Sequence, residues 1–455
     1  MLDIKFIREN PEIIKKAVKD KQLSGTVDID ELLKIDSEIR EIELKLNDLR
    51  QKRNDLNDKI KTVKDASERD VLIKENSVLK PQVQELEAKL SELAPIFDEK
   101  MLWVPNIPAS DVPYGEGEDD NVEIAAWIPG IGYLDADKIG KGSVSKAHMP
   151  QKLKYAPAEY EALDHLTLGE RLDIIDVKQS AKVSGSRFCY ISGGLAVLQY
   201  ALLDLVIKKI ISEKYAPIVP PVLLKEDALY GTSHFPQGKD QVYKVENKYL
   251  ESKEELFLVG SSEPSMFAYY MDKTLDLNKM PYKKFAYTPC FRTEVGSWGK
   301  DVKGIKRVHQ FDKLELNVVC KEDQEESIFE ELYKIDEWIY QQLELPYRIW
   351  KKCTADLGYY ASAKQVDMEI WLPSQKNYIE VSSVTNTKQF QARRLNIRYK
   401  DENGASKYAS TLNATGIPIG RMLIAIVENY QNEKGEIIVP EVLRKYTGFD
   451  LISNV

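Results

Sequence analysis

At 455 residues, 43% of them hydrophobic and 30% charged, the chain is long enough for two or three domains and at least one large core. A formal net charge of -9 excludes a global positive field, so any contact with nucleic acid or phosphate must come from local basic clusters. The start MLDIKFIREN has no signal-peptide core and runs such as MLIAIV are too short to span a bilayer; Cys189, Cys290, Cys320 and Cys353 form no CxxC or zinc spacing, so a cytoplasmic protein with reduced thiols and no membrane segment is expected.

From Leu32 the apolar positions Ile35, Ile39, Ile42, Leu46, Leu49, Leu56 and Ile60 follow at steps of three and four, interrupted only by Arg53. A second series, Leu72, Leu79, Val83, Leu86, Leu90, Leu93 and Phe97, has Asn76 in its one polar slot. Between them KTVKDASERD supplies a turn with Ser67 as N-cap, so the two helices run antiparallel. The register predicted is Leu46 with Val83, Ile39 with Leu90, Leu32 with Phe97, and Arg53 with Asn76. Pro81 is expected to kink the second helix or mark a local defect. At the helical rise the arm is roughly 45 Å long or more. A structural or dimerising coiled coil fits the pattern, and so does an arm that reaches for a partner. With both halves of the seam facing each other, no apolar stripe is left over.

VPNIPASDVPYGEGEDD reads as a linker, and beyond Val122 short β-like runs alternate irregularly with helical stretches such as LAVLQYALLDLVIKKII. The fold class expected is α+β: a two-helix coiled-coil arm plus an antiparallel sheet flanked by helices. The boundaries are 1–105 for the arm domain, 106–121 for the linker and 122–455 for the body.

In TPCFRTEVGSWGKDVKGIKRVHQFDKLEL, a strand through FAYTPCFRTE projects Ala286, Thr288, Cys290, Arg292 and Glu294 from one accessible face. Phe285, Tyr287 and Phe291 point to a core. The return segment places Phe311 and Glu315 together. Between them stand Gly296, Gly299 and Gly304 with Lys300, Lys303, Lys306 and Arg307. A charged surface hairpin with an incidental ion pair would explain this, and so would an anion site with a fixed bidentate arginine. The length and charge of the loop favour the anion site. TLNATGIPIGRMLIAIVENYQ leads a polar strand into a helix whose first turn carries Arg421, a favourable place for phosphate. YIEVSSVTNTKQFQARR sets Glu380 among hydroxyls, which suits either a hard cation such as Mg2+ or an edge strand with a surface glutamate.

Taken together, the chain resembles the seryl-tRNA synthetases, class II enzymes, over essentially its whole length. The segment KVSGSRFCYISGGLAVLQYALLDLVIKKIISEKYAPIVPP resembles the family's dimer-interface motif, and FRTE with HQFDKLE resembles the second motif. TLNATGIPIGR with ENYQNEKGEIIVPEVLRKY resembles the third, and the start plus the arm resembles its tRNA-binding domain. The resemblance implies that ATP and L-serine form seryl-adenylate, and that serine then passes to tRNA(Ser), with tRNA(Sec) a further acceptor to consider. It also implies a homodimer and no membrane partner.

Residue by residue, the resemblance makes Arg292, Glu294 and Arg421 catalytic. It places Arg292, Thr293, Glu294, Val308, Phe311, Glu380, Val381, Ser382, Ser383 and Arg421 at ATP, and Glu380 and Ser383 at Mg2+. Ser261, Ser262, Glu263, Arg292, Glu315, Asn413 and Thr415 would bind serine. A regular strand would send Glu380 and Ser383 to opposite faces, so it must end or bulge there. The family usually has threonine where this chain has Ser261, which keeps the hydroxyl and loses a methyl. Lys45, Arg50, Lys52, Arg53, Lys59, Lys61, Lys64 and Lys74 are the arm's phosphate-contact candidates. Two other readings are an aminoacyl ligase serving a carrier protein and a silent RNA-binding relative. The complete arm argues against the first, and the complete set of site residues against the second.

Overall fold

A computed structural model describes residues 1–136, 161–246, 255–296, 304–358 and 360–454. Two compact units are present, one covering 2–105 and the other Met1 with 106–455. Gly299, Lys300 and Lys303 lie outside the described residues.

In the first unit, helix α1 (Ile29–Thr62) starts at Asp28, whose carboxylate accepts from the N–H groups of Asp30 and Glu31. Helix α2 (Ala66–Trp103) is capped by Asp65, which accepts from Glu68 N–H, and not by Ser67. The turn is thus shorter than expected, because an aspartate two residues earlier already satisfies the free donors. Leu32, Leu46, Leu56 and Val83 are buried on the seam, where the heptad pattern placed them. The polar layer differs. Asn76 Nδ2 donates to Asn57 Oδ1 at 2.7 Å, one helical turn beyond Arg53. Asn57 offers the acceptor that the Asn76 amide N–H needs, which an arginine, carrying donors alone, does not. The second helix runs through Pro81 without a break. Among the basic candidates, Arg50 pairs with Glu87 at 2.8 Å and Lys61 with Asp58 at 2.8 Å. Such exposed pairs contribute little to stability.

The second unit is built on one nine-stranded sheet. In chain order its strands are β1 (Val122–Ile128), β2 (Gly132–Asp135), β3 (Ala216–Pro217), β4 (Tyr282–Phe291), β5 (Gln310–Cys320), β6 (Tyr347–Lys351), β7 (Lys364–Leu372), β8 (Asn377–Asn386) and β9 (Ser410–Pro418). They lie in the order β2-β1-β6-β7-β8-β9-β5-β4-β3. All neighbours are antiparallel except β3 against β4. Leu314, Leu316 and Val318 of β5 enter one core with helices α4 (Gly193–Ser212), α5 (Glu325–Gln342) and α6 (Ile419–Asn429). A further short helix, α3 (His165–Arg171), precedes these three in the chain.

Strand β4 stops at Phe291, short of the predicted end, and Glu294 adopts φ 51°. Ala286, Thr288 and Cys290 are buried instead of accessible, while Tyr287 and Phe291 are only half-buried. The strand is covered on both faces, so period two alone could not say which face meets solvent. The Pro- and Gly-rich stretch after residue 105 is fastened to this unit. Asn106 donates to the carbonyls of Ala361 and Thr387, and Thr354 N–H bonds Pro113 O.

Candidate active site

Two adjoining clefts lie over the middle of the sheet. The first, about 630 Å3, is walled by Glu294, Val308, Phe311 and Arg421, with Val381 and Ser382 behind. Ser261, Glu263, Glu315, Ser383 and Asn413 line the second, about 720 Å3. Arg292, Lys313, Glu380 and Thr415 border both.

Arg292 is held before any ligand arrives. Its Nε donates to Gly260 O at 3.0 Å, and its guanidinium carbon sits 5.3 Å from the centroid of the Phe311 ring. Its backbone N–H bonds His309 O. Arg421 stands in the first turn of α6 and donates from Nη1 to Glu380 O at 2.8 Å and to Glu380 Oε1 at 3.1 Å. Two guanidinium groups therefore flank one cleft at separate points, which is the arrangement a polyphosphate requires.

The strand pairing resolves the Glu380 problem. Met368 pairs with Ser382 and Glu369 with Glu380, so Val381 is an extra residue in β8. That bulge lets Glu380 and Ser383 border the same cleft. A second irregularity lies opposite Leu314 and Glu315, where Gly416 is the extra residue of β9. A Cβ at Gly416 would meet Leu316 Cδ1 at 2.8 Å, so the close approach requires glycine. One carboxylate and one hydroxyl, Glu380 and Ser383, form a hard-oxygen pair of the kind that holds Mg2+ together with substrate phosphates. Asp367 pairs across the strands with Ser383, and burial together with the Glu380 charge raises its carboxyl to about 6.

In the second cleft Glu315 is 1% exposed and forms an ion pair with Lys313 at 2.6 Å. It accepts hydrogen bonds from the Ser261 and Ser262 hydroxyls and from Ser262 N–H. Asn413 Nδ2 donates to Asn317 Oδ1 at 2.9 Å. Glu263 accepts from Gln391 Nε2 at 2.6 Å. Burial pushes its carboxyl up to about 7, the Gln391 hydrogen bond opposing and the nearby Glu315 charge adding. A buried carboxylate of this kind is a receptor for a small cation.

Comparison with known proteins places these features in context. Residues 1–108 match the family model for the seryl-tRNA synthetase N-terminal domain, and 243–430 that for the tRNA synthetase class II core domain (G, H, P, S and T). A serine–tRNA ligase of Sulfurihydrogenibium sp. is 42% identical over 448 residues, spanning 98% of this chain and 100% of that protein. One from Pyrococcus horikoshii is 37% identical over 460 residues, 99% of this chain and 97% of the relative. The chain belongs to the seryl-tRNA synthetase family. The crystal structure of the Pyrococcus horikoshii seryl-tRNA synthetase complexed with ATP superposes with a TM-score of 0.88 at 35% identity, covering 100% of both chains. A cytoplasmic serine–tRNA ligase from Naegleria fowleri in complex with AMP gives 0.81 at 27%, covering 100% of this chain and 99% of that one. The antiparallel sheet and long helical hairpin are those of this family.

Three of the residues expected to touch ligand in this seryl-tRNA synthetase family member spend their side-chain hydroxyls on protein partners, although Ser382 also lines the first cleft. Thr293 donates from Oγ1 to Asp240 O at 2.6 Å and borders neither cleft. Its side chain turns away because the strand has already ended. Ser262 sits behind Glu315 and is fully buried. The Ser382 hydroxyl bonds Asp336 of α5, on the core side of the bulge. Lys313, Gln391 and His234 were not foreseen. Lys313 follows from the period-two series Phe311, Lys313, Glu315 and could have been read from it. His234 comes from an irregular segment, and Gln391 from the helix Phe390–Arg394, at 5 residues too short to show a period. His234 borders the second cleft, and burial, aided by the Arg292 charge, holds its imidazole down at about 3.

Proposed function

We infer that the chain is an ATP-dependent serine–tRNA ligase, which activates L-serine as the adenylate and transfers it to the 3′ end of tRNA(Ser). The single observation that carries this reading is the junction of the two clefts at Arg292, with the Arg421 guanidinium on one side and a carboxylate-lined pocket on the other. The reaction joins a carboxylate to an α-phosphate, and Arg292 borders the place where the two reactants would meet.

On this reading the serine ammonium pairs with Glu263 and its carboxylate is directed toward Arg292. Thr415 and Asn413 border the hydroxyl, backed by Ser261 and the saturated Glu315. The adenine lies against Phe311, next to Val308 and Glu294, with Arg421 toward the far phosphates. As serine attacks, negative charge grows on the α-phosphoryl oxygens and pyrophosphate leaves. Arg292 is already oriented for that charge, so little reorganisation is needed. Glu380 and Ser383 would hold Mg2+, which supplies further charge neutralisation at the phosphates. The 297–303 segment and the arm would follow tRNA. The exposed Val197 and Tyr200 of α4 support a homodimer formed across that helix. Among the described residues no helix is long and apolar enough to cross a membrane.

The test is amino-acid-dependent ATP–pyrophosphate exchange with serine beside alanine, threonine, glycine and cysteine, followed by charging of tRNA(Ser) and tRNA(Sec). Exchange with serine but no transfer to either tRNA would favour a carrier-protein ligase, and no exchange at all a binding protein.

Glu263 makes a pH prediction. With its carboxyl near 7, the anionic form that binds ammonium grows as pH rises from 6 to 8. Serine kcat/KM is expected to climb through that window and then level off. Glu263→Gln removes the rising limb and lowers kcat/KM by about 10²-fold. For folding the sign is opposite: a carboxyl whose native pKa is raised favours the native state least once pH exceeds 7. A flat wild-type profile from 6 to 8 would refute the assignment.

A further inference from the structure

The long segment between β4 and β5 returns to the sheet at Gly304 and Ile305, and one histidine stands beneath that return. His165 is 4% exposed and opens helix α3. Glu428, in the last turn of α6, is fully buried, and three donors converge on its two carboxylate oxygens. His165 N–H reaches Oε1 at 3.2 Å, the ring Nδ1 lies 3.3 Å from the same oxygen, and Ser374 Oγ reaches Oε2 at 2.6 Å. With Glu428 acting as the acceptor, the ring hydrogen sits on Nδ1 and Nε2 presents a lone pair. That lone pair meets Ile305 N–H at 3.4 Å. At the Nε2 edge of the ring, a Cβ on Gly304 would lie 2.1 Å from Nε2 and 3.0 Å from Cδ2, and Gly304 itself has φ 70°. The return of the segment therefore rests on the imidazole as on a seat.

Both things joined by this chain of hydrogen bonds belong to the first cleft. Ile305, Lys306, Arg307 and Val308 form one of its walls, and α6 carries Arg421 two turns before Glu428. The outgoing root of the same segment is held separately, by Arg187 Nη1 donating to Glu294 O at 2.9 Å. We propose that His165 is a positioning residue for ATP: through Glu428 and Ile305 it fixes the wall that bears Lys306, Arg307 and Val308 relative to the helix that bears Arg421. It touches no substrate itself. The proposal rests on the first cleft being the ATP site.

The experiment uses the full-length protein and three variants. In His165→Ala both bonds are lost, and a misplaced wall is expected to weaken ATP by about tenfold or more. This would appear in the KM for ATP and in calorimetric binding of a nonhydrolysable ATP analogue, with the serine KM at saturating ATP unchanged. His165→Gln places an amide oxygen near the former Nε2 and is expected to recover most of the loss. Should His165→Ala fail to fold, Gly304→Ala separates the same contact without altering the histidine and is expected to weaken the analogue to the same degree. Unchanged analogue affinity in whichever of His165→Ala and Gly304→Ala folds would overturn the proposal. So would equal damage to the serine and ATP KM values, or a glutamine variant no better than alanine at equal melting temperature. Failure of the underlying reading would look different, since the unsubstituted protein would then bind no ATP analogue.

Discussion

Arg292→Ala is expected to remove serine-dependent ATP–pyrophosphate exchange and tRNA charging together, with a loss in kcat of about 10³-fold. A single oriented donor at a developing oxyanion contributes about 10² to 10³ in comparable sites, and Arg292 borders both clefts. The side chain is ordered by Gly260 O and the Phe311 ring, which sets its orientation before the reactants bind. Lysine would keep the charge and lose the fork, so Arg292→Lys is expected to recover no more than a small part of the rate. Neither variant is expected to shift the melting temperature by more than a few degrees, because Arg292 is only half-buried. Retention of more than a tenth of the exchange rate in the alanine variant would rule out the role given to it.

Glu315→Gln is expected to destabilise the catalytic unit by about 3 to 5 kcal/mol and to abolish serine activation. The substitution leaves the Lys313 ammonium buried without its counter-ion, and that uncompensated charge dominates the cost. Replacing both partners, Lys313→Met with Glu315→Met, is expected to restore most of the stability and none of the activity. Separating those two effects shows that the pair exists for the pocket and not for the fold. Burial by itself would raise the Glu315 carboxyl. The Lys313 charge and hydrogen bond, with the Ser262 and Ser261 donors, outweigh it and hold the carboxyl at about 2. Because this native value lies below the ordinary carboxylate value of 4.5, the stabilisation is complete above about pH 4.5. It is lost as pH falls from there toward 2. The urea midpoint of the natural protein, followed from pH 6 down to 3, should fall more steeply than that of the double methionine variant. Parallel curves would contradict the ion pair's role.

Much of the fold was legible because two periods dominate it. The alternation of three and four from Leu32 to Phe97 is long enough that single errors, such as the cap at Asp65 or the Asn57–Asn76 layer, do not disturb the arm as a whole. Period two likewise gave Phe311 and Glu315 their common side. What periodicity could not supply were its own interruptions. The end of β4 at Phe291 and the extra residue at Val381 depend on neighbouring strands, and no local pattern announces them. The hydroxyls of Thr293 and Ser382 accordingly bond Asp240 O and Asp336, which no period reveals, while Ser382 still lines the first cleft. The second-cleft partners Gln391 and His234 come from segments whose placement is set by the tertiary fold.

The two bulges at Val381 and Gly416 bear on which genetic changes this part of the chain can absorb. A point substitution in β8 or β9 alters one side chain and leaves the others facing as before. Loss of one codon at Val381 restores strict alternation yet leaves Glu380 and Ser383 two residues apart and so on one side of the sheet, whereas one codon added between them sends them to opposite sides. Loss of Gly416 would likewise leave Thr415 opposite Glu315 and Ile417 opposite Leu314, whereas an added residue there would shift one pairing against the other. Near the site, then, the two extra residues are the places where a deletion keeps the facing of the site residues, and single-residue insertions between those residues are expected to be lost from any population that depends on the protein.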